Sequence, residues 1–136
     1  MKFPEKYIER GEFILHSGQK SKIRYDVNLL LTDNLYVNHI LNRIPHSGHY
    51  VGIVTGGAII ASLISREFNS KYSMIKDGEL KGSMPDKYIL IDDVTTTGGS
   101  LEEAINLIGK NPSQIVVVFD RRERNENPEV YSIFDL

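Results

Sequence analysis

The chain has 136 residues, 40% hydrophobic and 25% charged, with no Cys and no Trp, and 16 basic against 18 acidic side chains leave a formal charge of −2. That length suits one domain that buries roughly two-thirds of its extended surface, and the composition excludes a disordered, collagen-like or coiled-coil chain. Without Cys there are no disulfides, thiolate metal sites or Cys nucleophile, and without a basic excess the chain is not expected to coat nucleic acid.

The N-terminal residues Met1 to Lys6 lack an apolar signal core, and no apolar run approaches the ~20 residues of a membrane span. A cytoplasmic protein is expected. Basic side chains gather at two places: Lys2, Lys6, Arg10, Lys20, Lys22 and Arg24, and again Arg121, Arg122 and Arg124. A compact anionic ligand or ordinary solvated surface explains either group.

In chain order, Phe13 to Ser17 and Lys22 to Asp26 read as two strands around a Ser17-Gly18-Gln19-Lys20 turn. Thr32 and Asn34 offer N-cap oxygens to a helix carrying Leu35, Val37, Ile40, Leu41 and Ile44. Tyr50 to Val54 is a strand stopped by Thr55-Gly56-Gly57, and Ala58 to Phe68 is a mostly apolar helix. Tyr72 to Ile75 reads as a strand and Lys76 to Asp86 as a loop. Tyr88 to Ile91 is an apolar strand ending in Asp92-Asp93, followed by a helix over Leu101 to Ile108 closed by Gly109. Ile115 to Phe119 and Val130 to Phe134 are the last strands.

Unbroken apolar strands alternating with helices imply an α/β fold with a parallel sheet covered on both faces. Ligands in such sheets bind at the carboxyl edge of the strands. The loops after Val54, Ile91 and Phe119 meet there, and their composition is unusual.

The strongest signal is Asp92-Asp93-Val94-Thr95-Thr96-Thr97-Gly98-Gly99-Ser100. A buried strand emerges into two carboxylates, and a hydroxyl- and Gly-rich loop enters a helix. Such a loop aims backbone N–H groups and a helix N-terminus at one anion, while the acceptor-only carboxylates suit a pair of sugar hydroxyls. Together they describe a ribose-5-phosphate cradle. Ser100-Leu101-Glu102-Glu103 also reads as a capping box, which accounts for Ser100 and Glu103 but not for the adjacent acids. No Lys-Ser or Lys-Thr pair follows the glycines, so this is not a Walker A loop. Thr55-Gly56-Gly57 is a second strand–loop–helix anion candidate, or simply a tight turn. His39, His46 and His49 show no compelling zinc spacing.

The Asp92–Ser100 segment resembles the phosphoribosyl-pyrophosphate (PRPP) motif of type I phosphoribosyltransferases, with Thr95 where an apolar residue is usual. The resemblance implies that Asp92 and Asp93 hold the ribose hydroxyls. It implies that the loop, with Val94, Thr95 and Thr96 to Ser100, cradles the 5′-phosphate, and that Thr55, Gly56 and Gly57 hold pyrophosphate. Two more segments resemble orotate phosphoribosyltransferases: Gly11 to Ser21 followed by Arg24-Tyr25-Asp26, and Phe119-Asp120-Arg121-Arg122-Glu123. They imply orotate contacts from Arg121, Tyr25, Arg24 and Thr96, and a PRPP contact from His16, where bacterial members often carry Lys.

The family's long mobile loop, with its Arg-Lys pair, further Lys and His, is cut down here to residues 72–87. Lys76 and Lys81 are the candidates for its catalytic lysines, or are solvated loop residues.

The implied architecture is a Rossmann-like parallel-sheet type I phosphoribosyltransferase core over residues 31–136 with a small N-terminal β hood over residues 1–30, a single domain across 1–136. The implied partners are PRPP and orotate, with Mg²⁺ carried by PRPP rather than by direct protein ligands, in a homodimer. The alternatives are a non-catalytic PRPP or nucleotide sensor, or a phosphoribosyltransferase for another nucleobase.

Overall fold

The computed structural model describes residues 1–15, 18–122 and 127–135. After a short 3-10 turn at Glu5–Tyr7, strands β1 (Ile8–Ile14) and β2 (Lys20–Tyr25) form an antiparallel hairpin. Helices α1 (Val27–Leu30) and α2 (Asn34–Leu41) follow, then β3 (His49–Ile53), α3 (Gly56–Phe68), β4 (Lys71–Lys76) and β5 (Glu79–Lys81). The chain continues through β6 (Ile89–Thr95), α4 (Gly99–Ile108), β7 (Gln114–Asp120) and β8 (Tyr131–Phe134). The six-stranded sheet has the order β5-β4-β3-β6-β7-β8, parallel throughout except at the β4–β5 pair.

Period-two alternation explains why the central strands read as unbroken apolar runs. Tyr50, Ile89, Ile91, Val116 and Val118 face one layer, packed with Ile60, Ala61 and Ile64 of α3 and Ile40 of α2. Val51, Leu90, Ile115 and Val117 face the other, packed with Leu101, Ala104 and Ile108 of α4. Both faces are covered, as the sequence pattern implies.

The hood hairpin differs from expectation at its start. β1 begins at Ile8, five positions earlier than the apolar Phe13, and the pairing slips between Arg10 and Phe13. A bulge there absorbs Gly11 and Glu12, which break the apolar–polar alternation of the strand. An aromatic cluster docks the hood on the sheet. Phe3 packs against Tyr25, Phe119 and Phe134 at 5.1–5.5 Å between ring centroids, and Tyr25 lies 4.5 Å from Phe119.

Three local features also differ. The N-cap of α2 is Asp33, which accepts from the Leu35 N–H at 3.2 Å, rather than Thr32 or Asn34. The short helix α1 lies where no helix is expected, capped by Asp26. And the segment expected as a loop from Lys76 to Asp86 contains β5. Asp77 and Gly78 have φ of 52° and 74°, and Lys76 pairs with Glu79. This is a two-residue Asp-Gly hairpin, whose two left-handed residues match the twist of the flanking strands. Its far end is pinned: Ser73 Oγ donates to the Ser83 carbonyl at 2.6 Å and lies 2.8 Å from His49 Nε2.

The beginning of α3 is pressed against the sheet through glycine. A Cβ at Gly57 would collide with the Ile91 carbonyl oxygen and lie 3.0 Å from Asp92 Cα, and one at Gly52 would collide with the Gly57 carbonyl. One at Gly56 would lie 2.9 Å from Asp93 Cβ. All three positions require glycine because backbone meets backbone or the acid pair. Gly57→Ala should therefore destabilise the protein by about 3 kcal/mol in urea unfolding. Gly48→Ala, where a Cβ meets nothing within 4 Å, should change it by less than about 0.5 kcal/mol. Equal effects would contradict the packing.

Candidate active site

Counting only the parallel strands, the order β4-β3-β6-β7-β8 reverses direction between β3 and β6. The chain leaving β3 enters α3 on one face, and the chain leaving β6 enters α4 on the other. A crevice opens between them at the carboxyl edge, the topological switch point where doubly wound sheets bind ligands. A cleft of about 670 Å³ lies there. Its walls are residues 53–55 after β3, residues 92–100 at the end of β6 and beyond, and the side chains of Asn28 and Glu103.

Asp92 and Asp93 both line this cleft, from opposite sides of the strand. Asp93 stands on the α3 side against Gly56. Asp92 is 6% exposed. Its Oδ1 accepts from the Asp93 N–H at 2.8 Å, and Asp93 Oδ1 accepts from the Val94 N–H at 2.7 Å. Burial, and then the neighbouring Asp93 charge, push the Asp92 carboxyl well above the ordinary carboxylate range.

The loop from Thr96 to Gly98 turns into α4 at Gly98, which has φ +84° and is the N-cap residue. Ser100 therefore lies inside the first turn and does not cap it, so the capping-box reading fails here. Ser100 is exposed and lines the cleft with Thr96, Thr97, Gly98 and Gly99. Thr97 Oγ1 accepts from the Gly99 N–H at 3.2 Å. The two helices that face the cleft share a feature: no side chain caps α3 at Thr55 or α4 at Gly98, whereas Asp26 and Asp33 cap α1 and α2. Uncapped first-turn N–H groups and the positive ends of two helices suit two anionic groups. The Val54–Thr55 peptide in the second loop is cis.

Arg121 and Tyr25 come together: the guanidinium carbon lies 4.8 Å from the Tyr25 ring centroid. Arg121 Nη2 donates to Ser21 Oγ at 3.2 Å, and its backbone N–H donates to the Thr95 carbonyl at 2.9 Å, beside the cradle. Arg24 is not brought to this group. It lies on the opposite, solvent face of β2, 2.7 Å from Glu9 and over the Phe13 ring. Lys76 ends β4 at the carboxyl edge, next to the Ile75 carbonyl that accepts from Val54 N–H. Lys81 sits across the hairpin from Met74 and pairs with Glu79 at 2.6 Å. His16, Glu123 and Arg124 lie outside the described residues. His39 stacks on Phe134 and His46 meets Phe68 edge-on.

Among the described residues no group of three or more His, Asp or Glu is placed to hold a metal. Three residues receive no site role from the sequence: Glu103, read there only as part of a capping box, Asn28, and Arg122, read only as one of a basic group. Glu103 was legible, being one helical turn from Ser100. Asn28 sits in a short helix without local pattern, and the environment of Arg122 depends on long-range folding.

A mostly parallel sheet with a hydroxyl- and glycine-rich loop and an acid pair at its switch point has the architecture of the type I phosphoribosyltransferase class. No family model matches the chain. The sequence is 34% identical to the orotate phosphoribosyltransferase of Sulfurisphaera tokodaii, covering 85% of this chain and 69% of that one. It is 30% identical to the Pyrococcus abyssi enzyme of the same name, over 95% and 84%. A crystal structure of orotate phosphoribosyltransferase from Aeropyrum pernix superposes with a TM-score of 0.72 at 25% identity, covering 85% of this chain and 77% of that one. The chain belongs to the orotate phosphoribosyltransferase family.

The raised Asp92 carboxyl fixes a pH dependence. A carboxylic acid whose folded pKa lies above its unfolded value favours folding fully only below the unfolded value, near 4, and that contribution is lost as pH rises through the folded value. Asp92→Asn should therefore melt at a higher temperature than the unsubstituted protein at pH 8, with the gap shrinking towards pH 4. A gap independent of pH would contradict the burial of the charge.

Proposed function

We propose that this chain transfers the phosphoribosyl group of PRPP to orotate, giving orotidine 5′-monophosphate and pyrophosphate. The observation that carries the reading is the pairing of two uncapped helix N-termini across one cleft with an acid pair between them. PRPP has the matching form, a phosphate at one end, a pyrophosphate at the other and a diol between. Relatives of the same name over most of the chain support orotate as the base.

In this reading Thr96 to Ser100 hold the 5′-phosphate through backbone N–H and hydroxyl donors. Thr55, Gly56 and Gly57 hold the pyrophosphate, with Lys76 at the same edge. Asp92 and Asp93 accept from the ribose hydroxyls. Arg121 and Tyr25 offer a guanidinium and a ring to the planar base and its carboxylate. Mg²⁺ bound with PRPP supplies charge neutralisation on the pyrophosphate. The bond from ribose carbon 1 to pyrophosphate oxygen breaks with its electron pair leaving on pyrophosphate, and the orotate ring nitrogen forms the new bond to carbon 1 while its N–H proton passes to the departing pyrophosphate or to solvent. Positive charge on the ribose draws Asp92 towards its ionised form. The charge that burial disfavours in the free protein then lies beside a cation. No protein nucleophile takes part; the chain positions and stabilises. A homodimer in the cytoplasm completes the proposal.

A second reading, a PRPP-binding regulator without turnover, is favoured by one feature. The segment that carries a long loop in the family is a closed hairpin here, and Lys81 is held by Glu79.

Incubation with PRPP, Mg²⁺ and orotate separates the two. Loss of orotate absorbance with equal release of pyrophosphate is expected. No turnover alongside calorimetric PRPP binding would favour the regulator. Asp93→Asn should weaken PRPP binding by about ten-fold or more, the worth of a charge-assisted hydrogen bond; unchanged affinity would remove the acid pair from the ribose site.

A further inference from the structure

Arg122 has no counterpart role in the phosphoribosyltransferase resemblance, yet it is one of the most deeply placed charges of the described chain, with a side chain 2% exposed. Its Nε donates to Asp120 Oδ1 at 2.9 Å and its Nη2 to Asp120 Oδ2 at 3.0 Å, so the carboxylate is gripped on both oxygens. Nη1 donates to the Pro128 carbonyl at 2.9 Å. Asp120 Oδ1 also accepts the Arg122 backbone N–H at 3.0 Å. The side chain thus ties the end of β7 to the turn at 127–128.

That unit lies beside the loop after β6, bordering the space that a side chain at Gly98 would enter. A Cβ at Gly98 would lie 3.4 Å from Pro128 Cδ, 3.5 Å from the Asn127 carbonyl oxygen and 3.6 Å from Arg122 Nη1. Gly98 is the left-handed N-cap residue where the loop turns into α4, so its position sets the direction of the first N–H groups of that helix. A buried ion pair adds little net stability over a well-packed apolar replacement. What it does provide is a rigid bidentate geometry that a lysine does not reproduce.

We infer that Arg122 is a positioning residue for the 5′-phosphate cradle, bracing Gly98 through Asp120 and Pro128. This rests on the reading of residues 96–100 as that cradle. Arg122 touches no substrate in this account. It holds the loop so that N–H groups converge on one phosphate, and a misplaced donor costs affinity at that end of PRPP alone.

The test compares the unsubstituted protein with Arg122→Lys, Arg122→Met and Asp120→Asn. Calorimetry measures ribose 5-phosphate and pyrophosphate separately, alongside KM for PRPP and orotate and the melting temperature. Arg122→Lys should weaken ribose 5-phosphate binding and raise the PRPP KM by about ten-fold. Pyrophosphate affinity and the orotate KM should stay within about three-fold. Arg122→Met, which refills the space without the fork, should show the same selective loss in the folded protein, at a lower melting temperature because the Asp120 carboxylate loses its partner. Asp120→Asn keeps the shape and carries the same expectation where an Arg122 variant does not fold. A folded variant that binds ribose 5-phosphate as the parent does, or that loses both ligands equally, overturns the brace. Failure of the parent protein to bind ribose 5-phosphate overturns instead the cradle reading beneath it.

Discussion

The backbone contact between the start of α3 and strands β3 and β6 sets the spacing on which the rest of the cleft depends. Glycine at 52 and 57 lets a helix carbonyl and a strand carbonyl approach as no side-chain-bearing residue permits. Gly56 then lies against Asp93, so the loop after β3 begins beside the acid pair that sits within the neighbouring strand β6. Two loops that leave adjacent strands for opposite faces would otherwise diverge. Here they are held at opposite walls of one opening.

The site is built from groups that are poorly satisfied without a ligand. Two helix N-termini have no side-chain cap, while α1 and α2 carry Asp caps. A cap contributes typically about 1 kcal/mol, so its absence has a cost at α3, while at α4 Thr97 Oγ1 takes one first-turn N–H, that of Gly99. Asp92 is buried beside a like charge, which raises its pKa. In the proposed complex, ligand phosphates and a cationic ribose would offset both penalties. The aromatic cluster of Phe3, Tyr25, Phe119 and Phe134 supplies apolar packing nearby and carries the hood to the sheet. Arg121 lies between hood and cradle because its backbone bonds to Thr95 while its side chain lies over Tyr25.

Much of this was legible in the sequence for a simple reason. Strands buried on both faces produce apolar runs, and Tyr88 to Ile91 or Ile115 to Phe119 can hardly be anything else. The acid pair and the three threonines stood out because adjacent like charges at a strand end need a purpose. Elements that face water were harder. β1 was cut short because its Ile8 to Glu12 half alternates weakly and contains the bulge. β5 lies in a stretch that reads as loop because it holds two glycines and a proline, Gly78, Gly82 and Pro85, although Asp77-Gly78 is a strong hairpin signal. Arg122 was illegible for a different reason: its partners Asp120 and Pro128 are close in sequence, but the loop it stands against is more than twenty residues away.

The central claim is that two separate loops divide one ligand's anionic ends between them. Backbone amide NMR with fragments of that ligand tests it most directly. Ribose 5-phosphate should shift the resonances of Thr96 to Ser100 and leave those of Gly56 and Gly57 in place, and pyrophosphate should do the reverse. Both fragments shifting the same loop, or neither reaching Thr96 to Ser100, would contradict the account.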